Sequence, residues 1–152
     1  MKKVCLIASS GGHFEQIMML RPLIEKYDGF VVTEKTTYDL SIGFAKLYHL
    51  KQINRHEFKF PYYMFINFIK SFSIFLKEKP DVIISTGALA TIPMCVLGKI
   101  LKRKIVFIES FAKTNSPTLS GKLVYKFADV FIIQWESMKD FYPNATFLGS
   151  IY

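Results

Sequence analysis

Short apolar runs, separated by stretches long enough for a helix, constrain this chain more tightly than any other feature of it. Val4–Ala8, Phe30–Thr33, Lys46–Leu50, Asp81–Ser85, Lys104–Glu109, Val130–Ile133 and Thr146–Leu148 each read as a strand, and most have an apolar centre with polar residues only at the ends. Strands of that kind belong in parallel sheets covered on both sides. Between them, helical spacing runs through His13–Lys26, Pro61–Glu78, a segment ending near Leu101, Thr118–Ala128 and the short Glu136–Phe141. Pro61 suits a first helical turn, and Lys79-Pro80 stops that helix. The alternation predicts an α/β fold: a single doubly wound, Rossmann-like parallel sheet with helices on both faces, over one domain of 152 residues.

In such sheets ligands gather at the carboxyl ends of the strands. Ser9–His13, Thr33–Glu34, Thr86–Ala90 and Glu109–Asn115 are thereby expected around one crevice. Ser10, Gly11 and Gly12 join the first strand to the first helix. Their backbone N–H groups and the helix end suit an anion, or form only a tight turn. Thr86 and Gly87 make a second turn with the same two readings. His13 either caps the helix or meets a substrate hydroxyl, as hydrogen-bond partner or base. Glu109, followed by Ser110, is either a carboxylate facing the crevice or the partner of a lysine such as Lys113. The hydroxyls of Ser116 and Ser120 are helix-capping candidates. Glu34 stands where a ribose-binding acid would lie, so a nucleotide-binding oxidoreductase is one alternative, although the chain has no GxGxxG.

The formal net charge of +8 points to an anionic partner. No nucleic-acid motif is present, so nucleic acid is not expected as that partner. Cys5 and Cys95 lie in apolar runs without ligand spacing and read as buried thiols. No acidic metal pair is visible, so neither a metal nor a cofactor is expected. The N-terminal apolar stretch is too short for a signal peptide, and no run is long enough to span a bilayer.

The aromatic excess, 15 Phe and 8 Tyr, concentrates around Pro61–Glu78. At 100° per residue, Met64, Phe65, Phe68, Ile69, Phe72, Phe75 and Leu76 form an apolar stripe that would suit a core. Asn67, Lys70, Ser71, Lys77 and Glu78 occupy the other face, together with Tyr63, Ile66 and Ile74, which a soluble helix would not need. Lys51, Arg55, His56 and Lys59 lie just upstream, interleaved with Phe58 and Phe60. Basic and aromatic residues so mixed suit the headgroup region of an anionic bilayer. Lys59, Tyr62, Tyr63, Phe65, Ile66, Lys70 and Ile74 are the candidate membrane contacts; an ordinary sheet-covering helix is the alternative.

Three segments together resemble the Alg14-like family: SSGGHFEQIMML, PDVIISTGALATIPMCVLGK and KIVFIESFAKTNSPTLSGKLVYKFADVFIIQWESM. The GGH and PDVIISTG turns are also similar, more distantly, to the N-terminal domain of the GT-B glycosyltransferase that makes lipid II. The resemblance implies the acceptor-side half of a UDP-sugar glycosyltransferase. An Alg13-like chain would supply the nucleotide-sugar half, and the acceptor would be a polyprenyl-diphosphate-linked saccharide in capsule or exopolysaccharide synthesis. It implies peripheral attachment to the cytoplasmic face of the plasma membrane. His13 is then first choice for base or acceptor ligand and Glu109 second. Ser10, Gly11, Gly12, Thr86, Gly87 and Ser110 would bind acceptor or phosphate. The chain would stop at the hinge of a fused GT-B enzyme, with Phe147, Leu148, Ile151 and Tyr152 docking the partner. A non-catalytic subunit that only recruits and orients the catalytic chain is the other alternative.

Overall fold

The computed structural model describes residues 1–38 and 40–152. Seven strands form one parallel sheet: β1 (Lys3–Ala8), β2 (Asp28–Glu34), β3 (Lys46–Leu50), β4 (Val82–Gly87), β5 (Lys104–Ile108), β6 (Val130–Ile133) and β7 (Thr146–Phe147). Their order is β3-β2-β1-β4-β5-β6-β7, the doubly wound arrangement expected from the alternation. The direction of winding reverses between β1 and β4, which run side by side from Val4↔Val82 to Ala8↔Gly87. A crevice opens at the carboxyl ends of two such strands.

Alternate side chains along each strand feed two cores, as a pleated backbone requires. Cys5, Ile7, Phe30, Val32, Ile83, Ile105 and Phe107 face one side, covered by α3 (Phe60–Glu78), α4 (Ile92–Ile100) and α5 (Leu119–Tyr125). Val4, Leu6, Ala8, Val31, Ile84 and Ile108 face the other, covered by α1 (Gly12–Met18) and α2 (Arg21–Lys26). The expected single helix His13–Lys26 is therefore two. Pro22 offers no N–H to carry the ladder through and opens α2 instead. Cys5 and Cys95 are fully buried and free, and burial pushes the Cys95 thiol up to about 12.

Apart from Phe75, the helix α3 lies with the opposite face inward from the one its apolar stripe predicts. Asn67, Ser71, Ile74, Phe75 and Glu78 are its buried residues. Phe65 is 63% exposed and Leu76 54%, and Tyr62, Phe68, Ile69 and Phe72 also face outward. Polar partners explain the inversion. The Asn67 side-chain amide accepts from Lys51 N (2.7 Å) and donates to Lys51 O (2.8 Å). The Glu78 carboxylate receives Lys3 Nζ (2.6 Å), Lys46 Nζ (3.2 Å) and the Tyr48 hydroxyl. Lys79, in the left-handed conformation, then ends the helix before Pro80. Ile74, a candidate membrane contact, is 8% exposed and packs in the α3–α5 core, so it takes no part in the outer face. Tyr63 and Ile66 are half-buried, while Lys59, Tyr62, Phe65 and Lys70 are exposed.

Burial alone would raise the Glu78 carboxyl, but bonds from Lys3, Tyr48 and Lys46 outweigh it and hold the group at about 2. A carboxyl depressed in the folded state stabilises fully above its ordinary value of 4.5 and loses that contribution as pH falls toward 2. The loss amounts to about 3 kcal/mol. Urea unfolding at a series of pH values checks this: the wild type loses stability across that window, and Glu78→Gln removes most of the slope. Identical slopes would put the acid sensitivity elsewhere.

Candidate functional site

Where β1 and β4 end, two loops are laced together. Ser9 N donates to Gly87 O (2.7 Å), and Ala88 N donates to Ser9 Oγ (3.1 Å). Gly87 has φ +94°, a conformation that other L residues rarely adopt. A side chain there would also press on Ser120 Oγ and on the His13 ring. His13 is fastened to the same strand end twice. Its Nδ1 lies 2.6 Å from Thr86 O, and its own carbonyl accepts from Thr86 Oγ1 (2.7 Å). A carbonyl can only accept, so Nδ1 carries the proton. In the neutral ring, Nε2 is left as the acceptor.

Several expected site residues turn out to be the framework of this loop cluster. Glu109 is 1% exposed. Its Oε1 accepts from Ser110 N (2.8 Å) and Thr118 Oγ1 (2.8 Å), and its Oε2 from Thr118 N (3.2 Å) and the Tyr142 hydroxyl (2.7 Å). Its four donors and its burial enclose this carboxylate away from the cavity; among the described residues it has no lysine partner either. It ties β5 to the start of α5, where Thr118 Oγ1 caps Gly121 N at 2.9 Å. Burial and the adjacent Glu109 push the Tyr142 hydroxyl well above its ordinary value.

Thr86 and Ser110 are buried, and their polar groups serve internal bonds. Ser10 is tied down as well, its N and Oγ both donating to Glu34 Oε2 (3.2 and 3.1 Å). Glu34 Oε1 accepts from Ile53 N (3.0 Å), so this carboxylate joins two loops and is not the free acid that a ribose would need. Gly11 and Gly12 stand open, with nothing within 4 Å of where a side chain would begin.

The cavity beside this framework measures about 730 Å³. Ser9, Glu34, Gln52–His56, Ala88–Ala90, Lys113 and Pro117–Ser120 line it. His13 is not among them; its ring lies beside Gly87. Lys113 lines the cavity, as expected of the Glu109–Asn115 loop, and Arg55 joins it although sequence reasoning assigned that residue to the membrane face. The bracketing Gly-rich turns locate the crevice, but nothing in the spacing says that the loop after β3 folds into it.

A buried amide pair joins this site to the C-terminal segment. Gln134 Nε2 donates to Gln16 Oε1 (2.9 Å) and to Glu109 O (2.9 Å), and Gln134 Oε1 accepts from Ile151 N (2.9 Å). Gln16 Oε1 also accepts from Phe111 N (3.2 Å). Of the expected docking residues, Phe147, Leu148 and Tyr152 are exposed. Ile151 is half-buried against the α1–α2 core, so part of it serves the chain's own packing. Tyr152 meets Phe111 edge-on at 5.2 Å, and Phe111 leans on Trp135 at 5.0 Å.

Residues 25–151 match the family described as "Oligosaccharide biosynthesis protein Alg14 like". The UDP-N-acetylglucosamine transferase subunit ALG14 of Mus musculus is 28% identical over 180 residues, covering 98% of this chain and 82% of that protein. The corresponding subunit of Schizosaccharomyces pombe is 38% identical over 77 residues, covering 47% of this chain and 37% of that one. Among solved structures, Acinetobacter baumannii MurG superposes with a TM-score of 0.70 at 14% identity, over 88% of this chain and 41% of that chain. The UDP-N-acetylglucosamine 2-epimerase of Rickettsia bellii gives 0.75 at 16%, over 99% and 45%. The chain thus spans under half the length of either solved protein, and their likeness fixes the fold: the N-terminal half of a GT-B architecture.

Gly121 is the tightest point of the framework. A methyl group there would collide with Glu109 Oε2 and lie 2.6 Å from the Tyr142 hydroxyl. Gly121→Ala is expected to cost about 2 kcal/mol or more of stability, the usual scale of an overpacked site. Denaturant unfolding measures it, and an unchanged midpoint would show that the Glu109 hub yields easily.

Proposed function

The chain belongs to the Alg14-like family, and from that premise we propose that it is the acceptor-side subunit of a two-chain UDP-sugar glycosyltransferase. Its acceptor is a polyprenyl-diphosphate-linked glycan of capsule or exopolysaccharide assembly. It works as a peripheral protein on the cytoplasmic face of the plasma membrane, and an Alg13-like chain brings the nucleotide sugar. The observation that carries the proposal is the family match across residues 25–151 of a chain folded like half of a GT-B enzyme. The word "subunit" in the names of the relatives supports a second chain.

Attachment to the bilayer is supported by the outer face of α3. Tyr62, Phe65, Phe68, Ile69, Phe72 and Leu76 form a continuous exposed apolar stripe. Exposed Lys59, Lys70 and Lys77 flank it. An apolar helix face with basic flanks fits an anionic bilayer, which takes up the rings while its headgroups meet the lysines. No helix among the described residues is long and apolar enough to cross a membrane. Phe65→Ser with Phe72→Ser is expected to lower cosedimentation with phosphatidylglycerol vesicles at least tenfold, since each ring withdrawn forfeits a large buried apolar area. Undiminished binding would remove α3 from the membrane.

In the transfer step, the acceptor hydroxyl loses its proton as it displaces UDP from the sugar carbon. His13 is the proposed base: with Nδ1 held by Thr86 O, Nε2 is the nitrogen that can take that proton. His13→Gln in the assembled enzyme is expected to lower kcat about a hundredfold or more, with copurification of the partner chain unchanged. An unchanged kcat would assign this chain a recruiting and orienting role only. Sugar transfer from a UDP-sugar to a polyprenyl-diphosphate glycan, seen only when both chains are mixed, is the direct test of the whole proposal.

A further inference from the structure

The cavity at the carboxyl ends of β1 and β4 carries more positive charge than its framework uses. Arg55 comes from the loop between β3 and α3, where its Nε donates to Nε2 of the neighbouring His56 (3.2 Å), and Lys113 comes from the loop between β5 and α5. Among the described residues, neither Arg55 nor Lys113 forms an ion pair. Glu34, the one carboxylate in the lining, already accepts from Ser10 and Ile53. Ser9 adds a hydroxyl whose oxygen accepts from Ala88 N, so its hydrogen is available to a ligand. Two separate loops thus bring unpaired cations to one concave site of about 730 Å³, a size typical of small-molecule sites.

The position of these cations narrows the ligand. The loop that carries Arg55 and His56 continues through the fully exposed Phe58 and through Lys59 directly into α3, whose outer face is apolar. A ligand held by Arg55 therefore lies beside the surface that would enter a bilayer. The molecule that satisfies both neighbours is an amphiphile: an anionic head for the cavity and a hydrocarbon tail for the membrane. Guanidinium and ammonium groups converging from two sides fit a phosphate or diphosphate better than a carboxylate, because phosphate oxygens accept from several directions.

We infer that Arg55 and Lys113, with His56 bracing Arg55, form an anion clamp for the phosphate or diphosphate head of a membrane-borne lipid. The inference rests on the acceptor-side reading above and gives that acceptor its charged contacts. Ordinary anionic headgroups could supply the same chemistry, and the experiment separates the two sources. The full chain is titrated with phosphatidylcholine vesicles doped with polyprenyl diphosphate, and with phosphatidylglycerol vesicles of matched charge. Inorganic pyrophosphate is added as a soluble competitor.

The wild type is expected to prefer the diphosphate vesicles, and pyrophosphate to abolish the preference. Arg55→Gln with Lys113→Gln loses about tenfold or more on diphosphate vesicles and changes little on phosphatidylglycerol. Lys70→Gln with Lys77→Gln shows the reverse pattern. These side chains lie at the surface or the cavity rim, and unfolding midpoints confirm that each variant is folded. An Arg55→Gln/Lys113→Gln variant that keeps the diphosphate preference overturns the clamp. So does a wild type that binds the two vesicle types alike. Sugar transfer by the assembled enzyme is scored separately. Transfer that persists without the preference sinks the clamp alone, whereas the preference without transfer sinks the transferase reading and leaves the clamp standing.

Discussion

The orientation of α3 depends on two polar side chains that pull it inward. A buried carboxylate is costly unless its lone pairs are filled. Glu78 fills them from three places: Lys3 at the start of β1, and Lys46 and Tyr48 on β3. Asn67, about three turns earlier, exchanges two hydrogen bonds with the backbone of Lys51. Between them, the helix is held at both ends of its inward face. Were it rolled over to bury its aromatic stripe, Glu78 and Asn67 would lose those partners. Six large apolar side chains are therefore left on the outside by the same bonds that seat the helix.

The three most buried carboxylates follow one logic. Glu34 joins the loop after β1 to the loop after β3, Glu78 joins α3 to two strands, and Glu109 joins β5 to α5 and Tyr142. Each is consumed by donors from the chain itself. At the crevice, the acidic charge of Glu34 and Glu109 is thereby spent on architecture, and basic charge stays free to meet a ligand. The net charge of +8 accordingly has a local expression at the rim of the cavity.

The strands were legible because a strand buried on both faces has little freedom in its composition: VCLIA and DVIIS admit few other structures. The glycine turns were legible for a similar reason, and they located the crevice correctly. The helix faces were not. Periodicity divides Pro61–Glu78 into two stripes, but nothing in the period says which stripe faces the sheet; that is decided by Lys3, Lys46, Tyr48 and Lys51, all remote in sequence. The enclosure of Glu109, read as either a crevice-facing carboxylate or a lysine's partner, was hidden for the same reason. Its four donors include Thr118 and Tyr142, and no local pattern shows a loop and a distant tyrosine closing over a strand end. Arg55 and Lys113 reach one cavity only through the sheet order, which separates their loops by some sixty residues of chain.

The bond between Asn67 and Lys51 has a consequence at the margin of the sheet. β3 is an outermost strand, and an outermost strand offers unpaired backbone groups to any other extended chain. Just past its last residue, the side-chain amide of Asn67 occupies both the donor and the acceptor of Lys51, as a neighbouring strand would. The margin is thus stopped by a piece of the helix that also presents the aromatic face. A protein that leaves six large apolar side chains exposed on α3 gains from this, since sticky surface and open strand margin together would invite copies of the chain to assemble on one another. Here the residue that turns the rings outward also closes off the adjoining end of the strand against recruitment into a larger sheet.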